Sequence, residues 1–506
     1  MLAAISSATL FGVEGSLVTV EVHVSAGLPC FTIVGLPDEG CREARDRVRA
    51  ALLSSGFSWP SKRITVNLAP ASQRKAGAGL DLAIAVGVLV ASEELTSESV
   101  ECFGFIGELG LDGTLRPVAG AAPLVAALGQ VNVVVAVGNR PEAQAFASGS
   151  VFVARNLRDV FEALKGNSGW PTPPANYAWI EPELVPDLAD VRGQTIPRFA
   201  LEIAAAGGHH TLFVGPPGSG KTMLAQRLCG LLPPLSTAES LQATMIHSAA
   251  GARLPPGGLV TLPPFRAPHH TSSIVALVGG GTAALRPGEI SMASGGVLFL
   301  DELGEYSGSV LDGLRQPLED GVVRVSRARA STTLPARFLL VAATNPCPCG
   351  GGAPGACACD DGARARYVRR LSGPLLDRFD LRVPVHRPQV DQMLDAASAE
   401  PTTVVARRVL AAREKALERG KMLNGQLSGE ALDLVAQLNK GAKKMVRSEL
   451  EADRLTGRGY HRIRRVARTI ADLDPETTAD LVEEQHIALA LQLRVSLAPL
   501  LRGRAA

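Results

Sequence analysis

Apolar positions along the chain repeat with two different periods, and the period changes where the structural elements should change. SLVTVEVHVSA (16–26), RITVNLAP (63–70) and VNVVVAVG (131–138) alternate or run continuously apolar, as strands do. EARDRVRAALLSSG (43–56) carries its apolar residues at helical spacing, and LAIAVGVLVA (82–91) is apolar on every face, which predicts a buried helix. Residues 1–165 therefore read as an α/β domain. GNSGWPTPPANYAWIEPELVPDLAD (166–190) keeps no period and is broken by prolines, which predicts a linker over 166–189. Strands and helices alternate again over 190–395. Over 396–506 the pattern is helical, as in VVARRVLAAREKALERG (404–420) and GYHRIRRVARTIADL (459–473). The expected fold class is α/β and multidomain, ending in an α-helical domain.

Composition narrows the class. At 506 residues the chain can hold two or three domains, each with its own core. With 46% apolar and 20% charged residues it resembles ordinary globular proteins. The net charge of +2 excludes a globally polyanion-binding surface, but not a local basic channel. MLAAISSATLFGVEGSLV (1–18) lacks the charged start and the cleavage site of a secretory signal. The most apolar stretch, 82–91, is half the length of a membrane span. A cytoplasmic location without a membrane partner is expected. Cys30, Cys41, Cys102 and Cys229 are scattered singly and read as small core residues.

Candidate chemistry begins at TLFVGPPGSGKTMLAQRLCG (211–230), an apolar run, a G-x-x-x-x-G-K-[ST] turn and a helix. Gly215, Pro216, Pro217, Gly218, Ser219 and Gly220 would turn backbone N–H groups inward around phosphates. Lys221 would reach the β- and γ-phosphates, and Thr222 would hold Mg²⁺. About 80 residues on, GGVLFLDEL (295–303) is a buried strand delivering two acids to the sheet's carboxyl edge. Asp301 would coordinate Mg²⁺ through water, and Glu302 would polarise the attacking water. The two motifs together predict a Mg²⁺-dependent ATPase. RFLLVAATN (337–345) predicts a third buried strand, with Asn345 beside Asp301 to orient that water. LSGPLLDRFDLRV (371–383) exposes Arg378 in a helix-to-strand turn. There it is either a solvated surface residue or a finger reaching the γ-phosphate of a neighbouring subunit.

GPPGSGKTMLA, FRAPHHTSSIVALVGGGTAALRPGEISMASGGVLFLDEL, NPCPCG, LSGPLLDRFDL and HRIRRVARTIADL occur in order along the chain. With GLPDEGCREARDRVRAALLSSGFSWPSKRITVNLAPASQRKAG nearer the N-terminus, they make essentially the whole chain resemble the magnesium-chelatase-like AAA+ ATPases of the ComM/YifB type. The resemblance implies a Lon-protease-like domain over 1–165, an AAA+ core of the helix-2-insert clade over 190–395 and a helical chelatase-type lid over 396–506. It implies a homohexamer using ATP and Mg²⁺, and for ComM-type members branch migration on single-stranded or branched DNA. A chelatase-type motor remodelling a protein partner and a nucleotide-gated scaffold are the rival readings. On the same resemblance FRAPHHTSSIVALVGGG (265–281) is the helix-2 insert, with Gly279–Gly281 letting a loop project into a pore. GVVRVSRARASTTLPARF (321–338) is a pre-sensor hairpin. Its Arg324, Arg327 and Arg329 either contact DNA phosphates or guard a solvated strand edge. Arg458 matches a second-sensor arginine touching ATP, with Arg462 the alternative. The positions aligned with the peptidase serine and lysine are Gly79 and Ala122, so peptidase activity is not expected.

The remaining cysteines, Cys347, Cys349, Cys357 and Cys359, form C-x-C-x₇-C-x-C. Four thiolates from two short turns can make a closed tetrahedral Zn²⁺ site; the other reading is a reduced, glycine-rich loop.

Overall fold

The computed structural model describes residues 1–172, 185–281, 285–327, 330–351, 357–371, 373–388, 399–475 and 481–495. The N-terminal part is built on a seven-stranded mixed sheet. Its order is Cys30–Val34, Arg63–Ala69, Glu14–Ser25, Leu2–Phe11, Phe103–Phe105, Asn132–Ala136 and Val151–Ala154. Leu2–Phe11 and Glu14–Ser25 form a tight antiparallel hairpin, whereas the last three strands run parallel to Leu2–Phe11 and to one another.

Helix Glu39–Ser54 starts where Asp38 accepts from the Cys41 N–H at 2.8 Å, and it buries Cys41, Ala44, Val48, Ala51 and Leu52 at helical spacing. Helix Asp81–Ala91 is buried throughout, as its apolar sequence requires. Its one acid, Asp81, is bound by the Arg47 guanidinium at 2.6 and 3.0 Å. Two expectations fail at the cysteines. Cys41 and Cys229 are buried, but Cys30 and Cys102 are exposed. Cys30 lies on the sheet's edge strand, where Phe31 and Ile33 turn inward and Cys30, Thr32 and Val34 face outward.

The linker is anchored at both ends. Trp170 packs on Phe103 and Phe152, with ring centroids 5.7 and 5.0 Å away. Asp187 accepts from the N–H groups of Ala189 and Thr402, and Leu188 is buried in the next domain's core. The intervening 173–184 lie outside the described residues.

The second part holds a five-stranded, all-parallel sheet in the order Phe265–Arg266, Val297–Leu300, Leu339–Thr344, Thr211–Val214, Leu381–Pro384. Its three central strands are buried on both faces, which explains their unbroken apolar sequences. Register brings Leu300 opposite Ala342 and Val214 opposite Thr344. The carboxyl ends of all three strands therefore meet at one edge. Helices Thr402–Gly420, Gly429–Val435, Lys440–Glu451, Gly457–Leu473 and Glu484–Gln492 follow and share an apolar cluster with the sheet.

Among the described residues the N-terminal domain meets this core around Glu142 and at the tip of its first hairpin. Glu142 accepts from Ser248 Oγ at 2.6 Å, from Asn139 at 2.7 Å and from the Ala122 N–H at 3.3 Å. The tip of the first hairpin enters the core: Val13 is buried with Val323, Val325 and Leu334, and Gly12 lies against Thr332. Among the described residues no helix is long and apolar enough to cross a membrane.

Candidate active site

Where the three central strands end, the chain folds around a cavity of about 480 Å³. Pro217, Gly218, Ser219, Gly220, Lys221, Thr222, Asp301, Glu302, Thr344 and Asn345 line it. Gly218 and Gly220 have φ of +73° and +90°, a left-handed backbone that lets consecutive N–H groups turn inward. Gly215 and Pro216 form the base of the turn: their carbonyls accept from Lys221 Nζ at 2.7 and 3.0 Å. The same ammonium donates to Asn345 Oδ1 at 3.2 Å. Burial lowers the Lys221 pKa from the ordinary lysine value, while Asp301 and Glu302 pull it back up.

Asp301 ends its strand opposite the phosphate loop and accepts from Thr222 Oγ1 at 2.7 Å. Its other oxygen accepts from the Glu302 N–H at 2.9 Å. Glu302 has φ +52°, a costly conformation for a residue with a side chain and one that collects at functional positions. It aims its carboxylate at His270, whose Nδ1 lies 3.3 Å away. Sequence reasoning missed His270; the adjacent His269–His270 pair in a polar segment was the available signal. It also missed Gln194, whose Nε2 donates to Ser219 O at 3.2 Å and to His386 O at 2.6 Å. Gln194 also lines a second cavity of about 650 Å³, between Phe199 and Glu202 on one side and Ile470, Leu473 and His486 on the other. This larger cavity holds none of the motif residues, so the chemistry belongs to the smaller one.

Arg378 does not line that cavity, nor does Arg458 or Arg462. Arg378 does occupy the turn between Gly373–Leu376 and Leu381–Pro384, but it is half-buried rather than exposed, because it pairs with Glu319. Arg458 is 83% exposed and lies 3.7 Å from Asp377. Arg462 binds the Arg378 carbonyl at 3.0 Å and Asp380 at 2.9 Å. The three arginines thus form one group, apart from the phosphate loop of their own chain.

Val322–Arg327 and Ala330–Pro335 do pair as an antiparallel hairpin. Arg324 is exposed on it, 3.8 Å from Asp320, Arg327 is its last residue before the turn, and Arg329 lies outside the described residues. Gly279–Gly280 and Arg286–Pro287 form a second small hairpin, with 282–284 outside the described residues. A Cβ at Gly79 would stand 3.9 Å from Leu124, and neither Gly79 nor Ala122 supplies a nucleophile or base; the Ala122 N–H is committed to Glu142 and Ser248.

The four clustered cysteines converge. Cys347 Sγ lies 3.4 Å from Cys349 and from Cys357, and all four sulfurs lie within 4.8 Å of one another.

Residues 187–393 match the family described as magnesium chelatase, subunit ChlI. Residues 20–139 match subunit ChlI of Mg-chelatase, and 399–494 match the C-terminal family of the same subunit. Competence protein ComM of Haemophilus influenzae is 43% identical over 508 residues, covering 97% of each chain. YifB of Salmonella typhimurium is 42% identical over 496 residues, again 97% of each. The chain belongs to the magnesium-chelatase-like AAA+ family that includes ComM and YifB. A more distant relative, the probable DNA helicase MCM9 of Arabidopsis thaliana, is 24% identical over 265 residues, 52% of this chain and 34% of its own. Membership of the magnesium-chelatase-like AAA+ family implies ATPase activity, with ATP and Mg²⁺ as cofactors.

Proposed function

We propose that the protein is a homohexameric, ATP-driven DNA motor of the cytoplasm that migrates branched DNA. The observation that carries this reading is the division of the site. The phosphate-loop cavity and the Arg378–Arg458–Arg462 group are separate in one chain, so a complete site needs two copies. Lys221 would exchange its loop carbonyls for the β- and γ-phosphates, and Glu302 would leave His270 to polarise water held by Asn345. Bound Mg²⁺ would supply charge neutralisation on the phosphates, beside Thr222 and Asp301. The nucleoside would extend past Gln194 toward the 650 Å³ cavity. Arg378, and with it Arg458, would complete the site of the neighbouring copy. Turnover would then displace the two hairpins, with Arg324, Arg327 and Arg329 gripping DNA phosphates. The four-cysteine loop would hold Zn²⁺ as a structural ion with no part in hydrolysis.

The test is strand displacement from a labelled three-way DNA junction with ATP and Mg²⁺, comparing wild type with Lys221→Ala. Displacement by the wild type alone is expected. ATP turnover without displacement would favour a motor acting on a protein partner, or a scaffold.

A further inference from the structure

We infer that Cys347, Cys349, Cys357 and Cys359 hold one Zn²⁺, and that this closed site clamps the phosphate loop in its ATP-receiving shape. The second half of this inference rests on the ATPase reading above.

The donor set fits the ion. Thiolates at about 2.3 Å from Zn²⁺ in a tetrahedron stand about 3.8 Å from one another. The observed separations are 3.4 Å for Cys347–Cys349, 3.5 Å for Cys349–Cys357 and 3.4 Å for Cys357–Cys347. These are far beyond the bond of about 2.05 Å in a disulfide. Among the described residues no carboxylate or histidine joins the set, and all-sulfur donors select soft metals over Mg²⁺. They also sit too close together to surround a multi-iron cluster.

The site's position gives it a second role. Cys347 follows Asn345 by two residues, and Gly350 follows Cys349 directly. The Gly350 N–H donates to Cys347 O at 3.0 Å, and its φ is +75°. A Cβ at Gly350 would stand 2.6 Å from Cδ and Cγ of Pro217, so the turn carrying the first two thiols lies flat on the phosphate loop. Tyr367 fixes the other side of that turn. Its hydroxyl donates to Asn345 O at 3.1 Å and lies 2.8 Å from Thr344 Oγ1. The Asn345 side chain meets Lys221 across the cavity. Joining the two C-x-C turns through one ion therefore closes a ring of contacts: phosphate loop, Asn345 turn, metal, helix Asp361–Arg370.

The full chain, purified without added metal, should carry one zinc per chain by elemental analysis, and Cys349→Ser/Cys357→Ser should carry none. That variant, and wild type stripped with a mercurial and a chelator, should bind a fluorescent ATP analogue about tenfold more weakly. Their amide exchange should quicken over 215–222 and 345–350 while 132–164 is unchanged. Gly350→Val keeps all four thiols and should retain zinc yet lose affinity to a similar degree, so the clamp is read without removing the metal. Substoichiometric zinc, or iron with sulfide, would overturn the site. Normal nucleotide affinity and unchanged exchange in both the stripped protein and Gly350→Val would overturn the clamp. Failure of the ATPase reading would look different: zinc-loaded wild type would bind no nucleotide, with zinc content and the exchange differences intact.

Discussion

Thr222 Oγ1 donates to Asp301 Oδ2 across 2.7 Å and so joins the phosphate loop to the end of the adjacent strand. In the mechanism proposed above, each of these oxygens would turn from the other to a cation. Thr222→Val and Asp301→Asn should each lower Mg²⁺-dependent phosphate release about 100-fold or more. Glu302→Gln should do the same while still binding a fluorescent ATP analogue. Wild-type turnover in Glu302→Gln would remove that residue from the water-polarising role.

Arg378 lies outside its own chain's cavity, tied to Glu319 and to Arg462 through its carbonyl. Arg378→Ala should lower turnover about 10³-fold without weakening nucleotide binding. Mixing it with Lys221→Ala should restore part of the activity, because each variant supplies the half-site the other lacks. Two inactive proteins that stay inactive when mixed, despite co-assembly, would rule against completion by a neighbour.

One of the contacts between the first two domains centres on a buried carboxylate. Burial raises the Glu142 pKa above the ordinary glutamate value, and the hydrogen bonds from Ser248, Asn139 and Ala122 hold it down. Ser248→Val removes the first of these, so the pKa should rise further. Stability should fall by about 1–3 kcal/mol, read from urea midpoints. An unchanged midpoint would mean that the Ser248–Glu142 hydrogen bond contributes nothing to stability.

His210 should make the fold acid-sensitive. It is half-buried, its Nδ1 accepts from the Leu340 N–H at 3.0 Å, and desolvation pushes its pKa down to about 4. The folded value lies below the unfolded one, so the stability this neutral ring contributes is complete above about pH 6.5. It is lost as pH falls toward 4, by about 3 kcal/mol in all. In His210→Asn, which keeps an acceptor but cannot titrate, urea midpoints should fall less across that window. Equal slopes in the two proteins would contradict the assignment.

Much of this architecture is legible in the chain itself, because a strand buried on both faces must be written as an unbroken apolar run. VLFL and LLVAAT say as much, and the acids and asparagine that end them mark the sheet edge where the cavity forms. What escaped the sequence were partnerships between residues far apart. His270 gives no local sign that it will face Glu302, and Glu319 none that it will hold Arg378. Cys30 and Cys102 looked like core residues because a free cysteine usually is one; only the strand order shows that Cys30 sits on an edge. The sequence suggests Arg458 as an ATP contact, whereas the structure places it beside Asp377 and outside the cavity of its own chain.

The tip of the first hairpin has a bearing on how such a sequence can drift. Gly12 has φ +65°, and a Cβ there would come within 3.1 Å of Thr332 Oγ1, on a different domain's hairpin. Val13 is packed inside that second domain. The tip of the N-terminal domain inherits the constraints of a neighbour's interior. Any side chain at Gly12 would have to adopt a left-handed backbone and also find room beside Thr332, so a position in one domain is held to glycine partly by a residue in the other.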